Sequence, residues 1–148
     1  MLTTFANRAK MAAWAAKIER IVAKPPGSIE EVTPDSLKRE SKVTFSKLNT
    51  WTIICEEMLD TQFERAYFEK AWEELHRRGI TDAEIAEMRR FAWLTAGWLN
   101  FECCLWEWCN MDEQDIYRAI EWQYSDGYIS AEERTRRLEY ARKYAQSP

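Results

Sequence analysis

Glu73 and His76 stand three residues apart in Glu73-Glu74-Leu75-His76. With that spacing one helix face of a di-iron carboxylate bundle offers a carboxylate and an imidazole to the same metal. Such a centre takes a second Glu-x-x-His from another helix, and His76 is the only histidine of the chain. Glu57 or Glu102 would add carboxylates but not the missing imidazole. The pair therefore reads as charged surface beside Arg77 and Arg78. Four cysteines, Cys55, Cys103, Cys104 and Cys109, read as buried, reduced thiols, since no secretory signal is present. Cys104 and Cys109 are five apart, roughly 140° around a helix, which converges poorly on one metal. No P-loop, dinucleotide fingerprint, nucleophile elbow or zinc-protease motif occurs. No catalytic residue, cofactor site or metal site is assigned on these grounds.

Residues 125–133 (SDGYISAEE) resemble the second half of an EF-hand loop, with Gly127 at the turn, Ile129 behind it and Glu133 in the place of the terminal bidentate ligand. Trp122 and Tyr124 fall where the first two acidic ligands belong, which removes most of the charge that holds calcium. The plainer reading is a helix ended by Gly127 and a new one capped by Ser130, with Glu133 as capping-box partner.

The elements that carry these residues read as helices throughout. Pro25, Pro26 and Pro34 cluster, Pro148 is terminal, and the interior holds no proline. Long helices with few loops follow from that distribution. The expected fold is all-α, an irregular bundle of five or six helices. Residues 1–24 form a basic amphipathic helix, 25–35 a Pro-containing linker, and 36–148 the helical domain. In the domain, apolar residues from Leu48 to Leu75 recur every three to four positions, as one long helix or two shorter ones. Gly79 then stops the chain, and Thr81 with Glu84 starts the next helix through a capping box. Further helices are expected from about Asp112 to Tyr124 and from Ser130 to about Gln146.

Residues 91–111 (FAWLTAGWLNFECCLWEWCNM) are apolar nearly all the way round, and Gly97 would permit a close crossing. A helix with no polar face needs burial on every side. Glu102 and Glu107 need water, a base or a polar groove, because an unpaired buried carboxylate is costly. With Asn100 and Asn110 they make a lipid-exposed span a poor reading, and burial against protein the better one. Eight tryptophans in 148 residues exceed what a small core needs, and aromatics are enriched where proteins meet. Trp14, Trp93, Trp98, Trp106 and Trp108 are the expected protein interface.

Charge is segregated. Residues 1–24 carry Arg8, Lys10, Lys17, Arg20 and Lys24 against Glu19, and residues 134–143 carry five bases against Glu139, around an acidic middle in a chain of net charge −4. Solvated helices, an acidic protein partner or an anionic membrane surface would each suit such basic helices. Nucleic acid is disfavoured, as the balance is acidic and the bases form no single long patch. Rich in Ala, Thr, Arg and Lys, residues 1–24 resemble a mitochondrial presequence. The resemblance implies an accessory subunit in an organellar setting. The leading expectation is a non-catalytic accessory or scaffold subunit of a larger complex, with other protein subunits as partners. A mitochondrial inner-membrane assembly, respiratory complex or ATP synthase, is its setting. A stand-alone cytoplasmic helical-bundle binding or regulatory protein is the alternative, and a carboxylate-metal enzyme centred on Glu73 and His76 comes third.

Overall fold

Helical spacing, a shortage of turn residues and well-placed caps lead to an all-helical chain. The computed structural model describes residues 2–26, 44–59, 64–104 and 110–145. Six α-helices and no strand occur among the described residues: α1 (Leu2–Val22), α2 (Thr50–Cys55), α3 (Arg65–Arg77), α4 (Asp82–Ala92), α5 (Glu113–Ser125) and α6 (Ala131–Ala145). Between α4 and α5 the chain runs on from Ala92 as a π-helical segment, Trp93–Glu102. The helices share one core, with α2 against α4 and α6, α5 against α6 and the π segment, and α1 against α4 and the π segment.

Local chemistry sets most boundaries. At α4, the Thr81 hydroxyl accepts from the Glu84 N–H while the Glu84 carboxylate accepts from the Thr81 N–H, the expected capping box. Asp112 and Asp115 make the same arrangement at α5. Two side chains thus satisfy donors that a helix start leaves without partners. Gly79 and Gly127 lie at φ +81° and +76°, the left-handed geometry that ends a helix at little cost in glycine.

Of the two alternatives for the stretch from Leu48 to Leu75, the described residues follow the shorter helices, α2 and α3. From Phe45 the described residues form a 3₁₀ turn (Phe45–Lys47), the short α2 capped by Asn49, a second 3₁₀ turn (Glu56–Met58) and, after an extended Leu59, α3. Arg78 holds the two ends of that stretch together. Its guanidinium donates to the Phe45 and Leu48 carbonyls at 3.1 and 2.6 Å and to the Thr50 hydroxyl at 3.2 Å, while Glu74 holds it from behind. Two helix-start signals of the sequence, Pro34 near a first helical position in Thr33-Pro34-Asp35 and the capping-box spacing of Thr61 with Glu64, fall at residues 33–35 and 61, outside the described residues.

One expectation is corrected: the chain from residue 82 to 104 does not form one α-helix. After Ala92 the bonding widens to the i→i+5 pattern, as in the Cys103 N–H donating to the Trp98 carbonyl at 3.1 Å. Trp93 folds down over Gly97 and stacks on Phe101, ring centroids 5.6 Å apart. A Cβ on Gly97 would lie 2.6 Å from Trp93 Cε3, so glycine makes room for that stack. The segment ends at Cys104, a non-glycine residue at φ +56°. Polar side chains tie it down: Asn100 donates to the Met58 carbonyl, and the buried Gln123 donates to the Leu94 carbonyl while accepting from Arg137. Among the described residues no helix is long and apolar enough to cross a membrane.

Helix α1 packs directly on the body of the fold. Met11, Trp14 and Ile18 belong to the common core, and Pro26 is buried too.

Candidate functional site

The inward side of α1 is built from positions three and four apart. Asn7, Met11, Trp14 and Ile18 are buried on it, as expected of a stripe that returns to one face at helical spacing. Its ends and middle are fastened by polar contacts. Asn7 Nδ2 donates to the Asp126 carbonyl at 2.8 Å, and Trp14 Nε1 donates to the Trp93 carbonyl at 2.9 Å. Near the C-terminal end, Arg89 donates to the Val22 and Lys24 carbonyls at 3.3 and 2.8 Å. The same guanidinium grips Glu57 through contacts of 2.6 and 2.7 Å, with both side chains nearly buried. Helix α1, α4 and the second 3₁₀ turn are thereby locked together.

The outward side differs in kind. Leu2 and Phe5 are 90% and 78% exposed, the most exposed large hydrophobics among the described residues. Arg8, Lys10, Lys17, Arg20 and Lys24 are all exposed, and among the described residues none of them forms an ion pair. The one acid of α1, Glu19, is already held by Arg90 at 2.6 Å. Helix α6 is the instructive contrast. Arg134 is paired with Glu121, and Arg136 and Arg137 both hold Glu133. Of the two basic helices foreseen in the sequence, α6 spends much of its charge inside the fold and α1 leaves its charge outside.

The expected tryptophan interface is corrected by burial. Trp14, Trp93 and Trp98 are only 4%, 8% and 4% exposed, so they serve this chain's own core and cannot form a surface patch. Trp106, Trp108 and Glu107 lie outside the described residues. Glu102 is exposed at the end of the π segment, where water meets its need for solvation. Trp122 and Tyr124, not singled out from the sequence as interface residues, are half-exposed, and Arg134 lies over the Tyr124 ring.

The other constellations resolve into structure. His76 Nε2 meets Asp82 at 2.7 Å on the surface, and Glu74, the neighbour of Glu73, is occupied by Arg77 and Arg78. Those guanidinium groups hold the Glu74 carboxyl at about 2, well below its ordinary range. In the loop after α5, the Ser130 hydroxyl accepts from the Glu133 N–H as a helix cap. The Glu133 carboxylate is taken by arginines and does not turn back to close the box. Among the described residues no group of three or more His, Cys, Asp or Glu is arranged to hold a metal ion. A groove of about 360 Å³ between α5 and α6 is lined by Tyr117, Glu121, Arg134, Leu138 and Arg142, and the Glu121–Arg134 pair already neutralises part of its charge.

The thiols are not all buried. Cys55 is buried, and burial with Asp115, Asp112, Glu56 and Glu57 nearby pushes its pKa well up. Burial raises Cys103, which is half-exposed, to about 11. Cys104 is exposed, a correction that follows from the left-handed turn that carries it out of the helix. The Glu56 carboxyl is raised by burial and accepts from the Tyr67 hydroxyl at 3.0 Å.

What this arrangement does chemically is present a rigid cationic face, since α1 is anchored at several points along its inner side. Comparison with protein-family models, with curated proteins and with solved structures gave no match.

Proposed function

We propose that this chain is a non-catalytic accessory or scaffold subunit that attaches to an acidic partner protein through the outer face of α1. The observation that carries the reading is the pairing pattern of the bases. Four exposed cations on α1 (Arg8, Lys10, Lys17 and Arg20), with Lys24 just beyond its end, have no ion pair among the described residues, and Leu2 and Phe5 are exposed on the same helix. A rigid helix spares the backbone ordering that a flexible basic segment would need on meeting an anionic surface, and complementary fields steer the encounter. The presequence-like composition of residues 1–24 suggests a mitochondrial complex as the setting.

Removing residues 1–24 would not test this, because it would also remove Met11, Trp14 and Ile18 from the core. The test is a surface variant, Lys10→Glu/Lys17→Glu/Lys24→Glu, combined with Phe5→Ser. It should keep the helical circular dichroism of the parent. The parent chain should elute from native extracts in a complex well above its own mass, and the variant should elute near it. Identical large masses for both, or a parent that runs alone, would overturn the reading.

A further inference from the structure

Cys103 and Cys104 are neighbours in sequence, and both carry free thiols. They stand where the π segment gives out. Cys103 caps it at φ −90° and ψ 2°, its N–H donating to the Trp98 carbonyl at 3.1 Å. Cys104 follows at φ +56°, and its thiol lies 4.0 Å from the Phe101 carbonyl. Cys103 is half-exposed at the edge of the core and Cys104 is exposed, so both residues reach the surface. The shelf beneath them is firm. Trp98 meets Tyr128 edge-on at 5.2 Å, and Asn7 holds the Asp126 carbonyl of the same turn at 2.8 Å. The two thiols are badly placed to bond to each other. Bridged cysteines usually have Cα atoms about 4.4–6.8 Å apart, whereas neighbours across a trans peptide stand at about 3.8 Å. The backbone angles also turn the two Cβ atoms to different sides of the chain. A bridge longer by one large atom between the sulfurs tolerates both constraints.

We infer that Cys103 and Cys104 form a two-thiol chelating site for trivalent arsenic, a thiol-seeking centre that arrives as a neutral arsonous acid, R–As(OH)2. In the binding step each thiol attacks the arsenic. Two As–O bonds break and two As–S bonds form. Each thiol proton leaves with a hydroxyl group as water, and the arsenic stays trivalent, so neither oxidant nor reductant is needed. Charge favours this ligand over a soft cation. Copper(I) held by two sulfurs requires two thiolates and leaves a negatively charged complex. Burial, and then Cys104, Asp126 and Glu102, push the Cys103 thiol up to about 11, which opposes any adduct that keeps negative charge there. The arsenical adduct is neutral and escapes that penalty. A harder ion lacks ligands, since among the described residues no three His, Cys, Asp or Glu come together to hold one. Once one sulfur is bound, the second meets the arsenic at an effective concentration of about millimolar or more, as for any short tether. That advantage separates the pair from a single exposed thiol.

The probe is phenylarsine oxide, which hydrates to the arsonous acid, mixed with the reduced full chain and read by native mass spectrometry. One phenylarsenic group should add to each folded chain, in place of two thiol protons. The adduct should survive an excess of the monothiol glutathione and be removed by the dithiol dithiothreitol. Cys103→Ser and Cys104→Ser should each weaken it by at least roughly tenfold, with the helical circular dichroism unchanged. Cys109→Ser, at a position outside the described residues, should bind as the parent does. Tryptic cleavage of the parent adduct after Arg90 and Arg118 should leave the arsenic on residues 91–118, away from Cys55, a result that does not depend on any variant folding. No adduct, an adduct that glutathione removes, or arsenic on the peptide of Cys55 would overturn the inference. So would undiminished binding by Cys103→Ser or loss of binding in Cys109→Ser.

Discussion

Replacing Arg89 by methionine should loosen the whole fold and not merely one contact. Arg89 and Glu57 form an ion pair whose side chains are 7% and 11% exposed. Removing one partner of a buried pair leaves the other charge without compensation, which costs about 3–5 kcal/mol. The Val22 and Lys24 carbonyls lose their donor in the same step, so the upper part of that range is expected. Against a total stability of about 5–15 kcal/mol for a domain, this is a large fraction. With roughly 2–4 °C per kcal/mol at this chain length, the melting temperature should fall by about 8–20 °C. Urea denaturation of the parent, Arg89→Met, Glu57→Met and the double variant gives the coupling. The double variant should recover most of the loss, because two apolar side chains replace a desolvated pair. It should still fall about 1–2 kcal/mol short of the parent, for the two orphaned α1 carbonyls. A loss below about 1 kcal/mol for Arg89→Met, or strictly additive single effects, would refute the argument that this pair is a shared clamp.

Gly97→Ala should destabilise by about 1–3 kcal/mol in urea melts, since its Cβ would meet the Trp93 ring at 2.6 Å and the Trp93–Phe101 stack would have to move. Cys104→Gly should stabilise by about 0.5–1 kcal/mol, because φ +56° strains a residue with a Cβ while glycine's extra unfolded-state freedom takes back part of the gain. Iodoacetamide followed by mass spectrometry at pH 8 should modify Cys104 first, Cys103 slowly because its thiol is raised to about 11, and Cys55 only on unfolding. Glu74 sets part of the acid limb of stability. Its folded pKa is lowered from 4.5 to about 2, so as pH falls below about 4.5 the unfolded chain takes up the proton first. The stabilisation is complete above that pH and gone below about 2, and Glu74→Gln should flatten the urea midpoint across this window.

Periodicity and capping made much of the fold legible. Thr81 with Glu84, Gly79, the helix near Asp112 and the one after Ser130 were all readable, because each signal is local and lies within four residues of what it controls. The break between α2 and α3 was not: Arg78 at the end of α3 holds the Phe45 and Leu48 carbonyls just before α2, about thirty residues back, a contact that one continuous helix could not make. Nor was the π segment, because apolar residues at every position leave no polar phase from which to count residues per turn. The tryptophans misled for the same reason. Composition shows that they need burial but not whose atoms bury them, and here Trp14 and Trp93 bury each other's surroundings. For the site, the bases of α1 were visible in the sequence. That they form no ion pair among the described residues, while Arg134, Arg136 and Arg137 do, was visible only once Glu121 and Glu133 had been placed in space.

The anchoring of α1 also has a consequence in time. Trp14 bonds to a carbonyl 79 residues further along, and Asn7 to one 119 residues further. At roughly 5–20 residues per second, a ribosome needs about 4–24 s to deliver those partners after α1 has emerged. Throughout that interval Met11, Trp14 and Ile18 have no core to enter, and the inward side of the helix faces whatever meets the nascent chain first. The last contacts to close on the first helix, those at Asp126, are thus among the last to be synthesised. Late truncations or stalls would release a helix whose apolar side is left uncovered.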